Sequence, residues 1–183
     1  MAPSPRTPQS DDRSSRPYEG LTPHEVLDAL DTAGLRGDGR ILQLNSYENR
    51  VFQVHLEDGR IVVAKFYRAG RWSDAQILEE HTFARELAEA EVPAVAPLTL
   101  EACSDDVTLA GDPPTLARRG PWRFAASPRC GGRSPEVEQP EVLEWIGRFL
   151  ARIHTVGAKK PFASRPRLDA ASFGVESMQW LLE

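Results

Sequence analysis

The chain has 183 residues, enough for one domain of ordinary size or for one lobe and part of another. Apolar residues make up 40% and charged residues 27%, as in a soluble globular protein, and no apolar run is long enough to cross a bilayer. The formal charge of −5 and the lack of a basic stripe argue against a nucleic-acid binder.

Residues 1–19 are rich in Pro, Ser, Arg and Asp and nearly free of apolar side chains. Such a segment cannot bury enough surface to offset the entropy lost on ordering, so we predict a disordered tail. It also lacks the apolar core of a secretory signal. Cys103 and Cys130 have neither metal-ligand spacing nor the density of a secreted scaffold. We therefore expect free thiols, a cytoplasmic location and no membrane partner.

A helix is predicted to begin after Thr22. The Thr22 hydroxyl can cap it, Pro23 suits the first turn, and Glu25 has the spacing that completes a capping box. Its apolar stripe consists of Val26, Leu27, Leu30 and Ala33.

Three strands are predicted next, at 40–45, 50–56 and 61–67, with an Asp-Gly hairpin turn between the second and the third. The third is almost wholly apolar, as in strands that are buried on both faces, yet Lys65 lies in its middle. Lys65 either lies on an edge strand with its amine in solvent, or its ammonium group has an acidic partner.

The helix predicted to follow Ser73 supplies that partner. Ser73 and Gln76 have the spacing of a second capping box. The inward face of this helix is marked by Ile77, Phe83, Ala84, Leu87 and Ala88. At about 100° per residue, Glu80 falls near the middle of that face and Glu79 falls on the opposite side. We therefore predict an ion pair between Lys65 and Glu80, next to a nucleotide phosphate site.

Further strands are predicted around 98–102, 115–119 and 122–126, with polar surface loops between the first two. Residues 127–133 indicate a hinge, because a strand end is followed there by a proline and two glycines. The remaining chain is predicted to form an amphipathic helix at 140–156, ended by Gly157 and followed by a shorter capped segment.

Several short strings in this order of elements are specific. They are Leu44-Asn-Ser-Tyr-Glu-Asn-Arg-Val-Phe-Gln, Ala64-Lys-Phe-Tyr-Arg, Arg71-Trp, Gln76-Ile-Leu-Glu-Glu-His, Glu91-Val-Pro-Ala-Val-Ala-Pro, Gly131-Gly-Arg and Arg152-Ile-His-Thr-Val-Gly. Over roughly residues 20–183 the chain resembles the bacterial stress response kinase A family. That family belongs with the aminoglycoside phosphotransferase and choline kinase relatives of protein kinases. Its members are Ser/Thr protein kinases that use ATP and Mg²⁺.

The resemblance implies an α+β fold. A protein-kinase-like small lobe, in which an antiparallel sheet packs with one helix, would be followed by the first helices of an incomplete large lobe. The expected divisions are the tail at 1–19, the small lobe with its nucleotide site at 20–130, and the hinge exit and beginning of the large lobe at 131–183.

The resemblance also implies roles for single residues. Lys65 would hold the α- and β-phosphates of ATP, and Glu80 would orient that lysine. Ser46, with the backbone of its polar loop, would lie at the phosphates. Main-chain groups of the hinge would bind the adenine edge, at Ala126, Ser127 and Arg129. The expected partners are ATP and a protein substrate with a Ser or Thr acceptor, without nucleic acid.

The family's catalytic loop, His-Gly-Asp-x-His-x-x-Asn, is absent from these 183 residues, as is its later metal-binding Asp. In the family both lie in the large lobe, beyond the point where this sequence stops. We therefore expect nucleotide binding without phosphoryl transfer, no metal ligands, and exposed apolar surface on the helix at 140–156. The alternatives are a fragment of a small-molecule phosphotransferase of the aminoglycoside or choline type, or a non-catalytic interaction remnant of the fold.

Overall fold

The computed structural model describes residues 17–182, so residues 1–16 of the predicted tail lie outside the described part. In chain order the elements are α1 Pro23–Thr32, β1 Gly37–Leu44, β2 Arg50–Leu56, β3 Ile61–Phe66, α2 Asp74–Glu89, β4 Val107–Ala110, β5 Leu116–Arg119, β6 Trp122–Pro128, α3 Pro140–Gly157, a π-helical turn Ala171–Val175 and α4 Glu176–Leu182. None of the helices described is both long enough and apolar enough to span a bilayer.

The six strands form one antiparallel sheet in the order β1-β2-β3-β6-β5-β4. β2 has the bounds predicted for it, and β3 and β5 differ from their predicted bounds by one residue at one end. Because β3 lies between β2 and β6, the alternative that placed Lys65 on an edge strand is wrong.

One prediction about the middle of the chain is wrong and one strand is missed. Residues 98–102 form no strand: the Leu98 N–H donates to the Ala126 carbonyl at 2.7 Å, but Pro97 before it has no N–H with which to continue a ladder. The missed strand is β4 at Val107–Ala110, which lies between the polar loops predicted at 104–106 and 111–114. Its four residues are at the lower limit of length at which alternation indicates a strand.

The two faces of β2 and β3 are covered to different extents. The buried face packs against α1 and consists of Phe52, Val54, Leu56, Val62, Ala64 and Phe66. On the opposite face, here called the Lys65 face, Val51, Val63 and Lys65 are only half-buried. α2 reaches this face at Tyr67, against which Ile77 packs. The expectation that β3 is buried on both faces is therefore wrong.

Both helices α1 and α2 begin at the N-terminal caps predicted for them. The Glu25 N–H donates to the Thr22 hydroxyl at 3.2 Å, which confirms the cap of α1. The Glu25 carboxylate, however, accepts from Arg119 at 2.9 Å instead of returning to the cap, so the capping box predicted there is wrong. At α2, both bonds of the Ser73–Gln76 capping box are present.

α3 begins at the predicted residue and ends one residue later than predicted, and it attaches to the rest of the chain through its C-terminal half. Val156 packs with Leu87 and Val92, and the Arg152 guanidinium donates to the Glu91 carbonyl at 2.7 Å. Its exposed apolar side chains, as expected, are Leu143, Trp145, Phe149 and Leu150.

Candidate nucleotide-binding site

β3 and α2 bring together the two charged side chains on which the sequence analysis depends. Lys65 Nζ lies 3.4 Å from Glu80 Oε1, so the predicted ion pair is present. The side chains are 35% and 42% exposed, so the ammonium group is not deeply buried, contrary to expectation. A pair this exposed contributes about 1 kcal/mol or less to stability. It leaves one side of the lysine accessible to a ligand.

Glu80 has a second cationic partner that the sequence analysis did not identify. Arg165 Nη1 lies 3.1 Å from Glu80 Oε2, so the two oxygens of this carboxylate face different cations. The guanidinium group also lies over Trp72, 4.4 Å from the ring centroid. Arg165 comes from the segment after α3.

Glu79 has a different role from the one that periodicity suggested. Lys65 pairs with Glu80, as predicted, but Glu79 is not simply a solvated acid on the far side of α2. Its carboxylate accepts the backbone N–H groups of Ala163, Ser164 and Arg165, at 2.5, 2.9 and 2.7 Å. These bonds, led by the one from Ala163, hold the pKa of the Glu79 carboxyl below its ordinary value.

The loop between β1 and β2, which contains Ser46, is tied to the chain between β3 and α2. Glu48 accepts from Arg71 Nε and from Trp72 Nε1, each at 2.8 Å. The Arg71 bond is the main reason that the pKa of the Glu48 carboxyl is lowered. Ser46 itself is half-buried, two residues before this anchor. The polar sequence of the loop predicts phosphate donors but does not indicate the anchoring role of Glu48, whose partners lie more than 20 residues away.

β6 runs further than predicted, so Ser127 and Pro128 belong to the strand rather than to the hinge. Ala126 and Ser127 lie opposite Ala64 and Val63 of β3. Two main-chain groups proposed for adenine binding already have partners. The Ala126 carbonyl accepts from Leu98, and the Arg129 N–H donates to the Ile61 carbonyl at 3.0 Å. The adenine role of this segment stays a prediction.

A buried polar cluster lies directly beneath Lys65. The two ring nitrogens of His81 lie 2.8 Å from the Tyr67 hydroxyl and 2.9 Å from the Thr115 hydroxyl. Burial lowers the pKa of His81 to about 4, and burial also raises the pKa of Tyr67. Lys65 Nζ lies 4.9 Å from the centroid of the Tyr67 ring. At neutral pH this cluster is therefore uncharged. The charge of the site is carried by Lys65, Glu80 and Arg165, which lie above it.

The described residues suit a nucleotide phosphate better than they suit a metal ion. Lys65 offers an accessible ammonium group on a half-buried face of the sheet. Within residues 17–182, no three His, Cys, Asp or Glu side chains lie close enough together to hold a metal. We therefore assign no step at this site to Mg²⁺.

Comparison with known proteins adds a family, several relatives and a fold. Residues 40–179 match the family model described as "Phosphotransferase enzyme family". Stress response kinase A of Salmonella choleraesuis is 43% identical over 162 residues, which are 88% of this chain and 46% of that protein. Stress response kinase A of Escherichia coli K12 is 39% identical over 87% of this chain and 45% of that protein. A Salmonella typhimurium relative, "Serine/threonine protein kinase RdoA", is 42% identical over 88% of this chain and 46% of that protein.

A solved structure titled "Amicoumacin kinase hAmiN in complex with AMP-PNP, Ca2+ and Ami" superposes with a TM-score of 0.64. It is 19% identical and covers 86% of this chain and 47% of the other, so it shows the fold alone. The resemblance to stress response kinase A and the α+β kinase-like fold are thereby confirmed. The chain spans about half the length of the curated relatives it matches.

Proposed function

Because the chain belongs to the phosphotransferase enzyme family, we propose that it is the ATP-binding portion of a Ser/Thr protein kinase. The observation that carries this proposal is the Lys65–Glu80 pair, 3.4 Å apart beside the half-buried Lys65 face. The nucleotide lobe would comprise residues 20–130, and residues 131–183 would begin the second lobe.

Lys65 is suited to contact the phosphates because its ammonium group is a compact point charge that is held in place but not enclosed. Phosphoryl transfer depends on positioning and on charge neutralisation, and a cation at the α- and β-phosphates supplies part of both. Glu80 would orient the lysine. Ser46 and the backbone of its loop would lie at the phosphates, where hydroxyl and N–H groups can donate to oxygen.

The composition of the chain supports a specific need for lysine at this position. Of the 22 basic residues, only Lys65, Lys159 and Lys160 are lysines. Among the described strands, the buried cation is Arg123, and the surface ion pairs use Arg40, Arg118 and Arg119. In a chain that uses arginine so widely, a lysine on the half-buried Lys65 face is consistent with a ligand that binds a compact point charge.

The base would lie on the apolar part of the Lys65 face. Val63 is half-buried, lies two residues from Lys65 on the same face of β3 and is directly across from Ser127 of β6, so it would contact the base between the phosphate contact and the adenine segment at 126–129. Val51, also half-buried, lies across from Lys65 on β2, on the side away from that segment. Ala126, Ser127 and Arg129 remain the residues proposed for the adenine edge.

The names of the relatives are the basis on which we propose a protein acceptor, a link to stress response and a cytoplasmic location. A small-molecule acceptor of the aminoglycoside or choline type, or an interaction role without chemistry, are the alternatives. These 183 residues contain no His-Gly-Asp string, so we expect the chain by itself to bind nucleotide without transferring phosphate. In the family, Mg²⁺ would be held by residues outside those present here.

The proposal is tested by titrating the 183-residue chain with Mg·ATP in a calorimeter. Lys65→Ala is expected to abolish detectable binding, because the only cation proposed to contact the phosphates directly is removed. Lys159→Ala, which removes an exposed lysine at the end of α3, should bind as the unaltered chain does. Equal affinities for Lys65→Ala and the unaltered chain would remove Lys65 from the site and contradict the proposal.

A further inference from the structure

The short segment 163–165, here called the strap, crosses α2 at the turn that contains Glu79 and Glu80. Glu79 accepts three consecutive backbone N–H groups from the strap, an arrangement in which adjacent amides surround an anionic oxygen pair. At the next residue of the helix, Glu80 accepts from the Arg165 side chain at 3.1 Å. Two neighbouring residues of α2 therefore fix both the backbone of the strap and its one cationic side chain.

Arg165 also contacts the other side of the site. Its guanidinium group lies 4.4 Å from the centroid of Trp72, and the Trp72 indole N–H donates to Glu48 at 2.8 Å. Glu48 anchors the loop that contains Ser46. Arg165 thus bridges the helix that carries Glu80 and the segment that anchors the proposed phosphate loop.

The position of Arg165 bears on the geometry of Lys65. A glutamate that is 42% exposed can adopt several rotamers, and Lys65 contacts only one of its oxygens, at 3.4 Å. Arg165 binds the second oxygen and so restricts the carboxylate to the orientation in which Oε1 faces Lys65.

We propose that Arg165 is a positioning residue for the nucleotide site, holding Glu80, and through it Lys65, in the arrangement that receives the phosphates. The proposal rests on the function proposed above for Lys65. It adds that the segment after α3 takes part in forming the site, through the strap and its contacts with Glu79.

A double-mutant cycle on Mg·ATP affinity tests this proposal in the full 183-residue chain. Arg165→Gln is expected to weaken binding about tenfold, because a hydrogen bond between charged groups is lost. Arg165→Lys, which keeps the charge but not the planar group over Trp72, should recover part of the loss. Combined with Glu80→Gln, Arg165→Gln should cost little more, because its effect passes through that carboxylate. The matched control is Arg167→Gln, an exposed arginine two residues on, which should bind normally.

A second cycle requires no nucleotide. Thermal midpoints are measured for Arg165→Gln, Glu80→Gln and the double variant. The double variant should lose less than the sum of the two single losses, whereas Arg167→Gln combined with Glu80→Gln should be additive. The Trp72 indole N–H resonance should also shift in Arg165→Gln and stay in place in Arg167→Gln, because only the former removes one of the two guanidinium groups, those of Arg71 and Arg165, that lie over the ring.

The two readouts separate the inference from the function on which it rests. Additive thermal losses for Arg165 and Glu80 would overturn the inference whether or not nucleotide binds. A double variant that binds Mg·ATP much more weakly than Glu80→Gln alone would also overturn it, because Arg165 would then act on the nucleotide directly. If the unaltered chain binds no Mg·ATP but the thermal cycle is non-additive, the proposed function fails and the hold of Arg165 on Glu80 stands.

Discussion

Acidification should destabilise this protein through His81, a residue buried beneath the proposed nucleotide site. Its side chain lies between the hydroxyls of Tyr67 and Thr115 and is only 5% exposed, so a proton added to the ring would be poorly solvated. The folded state therefore holds the pKa of His81 at about 4, below the ordinary value of 6.5 in the unfolded chain. Between these two values the unfolded chain binds more protons than the folded one.

The sign and size of the effect follow from this difference. The stability that depends on neutral His81 is fully present above pH 6.5 and is lost as the pH falls toward 4. The whole difference corresponds to about 3 kcal/mol, and about 2 kcal/mol of it should be lost between pH 7 and pH 5. Carboxylates with lowered pKa values, such as Glu79, are protonated at still lower pH and add to the loss there.

The assay is urea unfolding at several pH values between 7 and 5, with the free energy of unfolding compared between variants. His81→Gln keeps hydrogen-bonding groups near Tyr67 and Thr115 but cannot titrate, so its stability should change with pH by about 2 kcal/mol less than that of the unaltered chain. His24→Gln, at an exposed position in the first turn of α1, is the matched control and should keep the original pH dependence. If His81→Gln and the unaltered chain have the same pH dependence, the argument from burial is wrong.

Two further predictions concern the core and the chemistry. Ile77 of α2 is fully buried and packs against Tyr67. Ile77→Ala should therefore lower the free energy of unfolding, measured in urea, by about 2–5 kcal/mol. The partly exposed neighbour Leu78 is the control, and an equal or smaller cost at Ile77 would contradict the packing described. The 183-residue chain, incubated with Mg²⁺ and ATP labelled on the γ-phosphate, should transfer no label to a protein or to an aminoglycoside. Transfer above the level of Lys65→Ala would show that the missing motif is not required.

Contacts between neighbouring elements could be predicted from the sequence. The Ser73–Gln76 capping box depends on residues three apart, and both of its bonds are present. The Lys65–Glu80 pair depends on periodicity in one strand and in the next helix, which are separated by a short connection. At α1 the Thr22 cap is confirmed but the capping box is wrong, because the Glu25 carboxylate accepts from the distant Arg119 instead. No local pattern contains that information.

The contacts that complete the site join residues that are far apart in the chain. His81 reaches Thr115, 34 residues away, and Glu80 reaches Arg165, 85 residues away. His81 belongs to one of the strings that carry the family resemblance, but its burial depends on where β5 places Thr115. Arg165 lies in a polar segment that has no helical or strand periodicity of its own, so nothing local indicated that it would lie over Trp72.

The sequence itself determined the first three strands, the Thr22 cap of α1, the capping box of α2 and the choice of Glu80 over Glu79 as the partner of Lys65. Each of these depends on periodicity or on neighbours within a few residues. The tertiary structure alone decided that one face of β3 is half-open, that His81 is buried and uncharged, and that Arg165 holds the second oxygen of Glu80. The physical reason is that exposure and hydrogen-bond partners depend on which distant elements pack together. α1 covers only one face of the sheet, and the strap is placed where Glu79 can bind its amides.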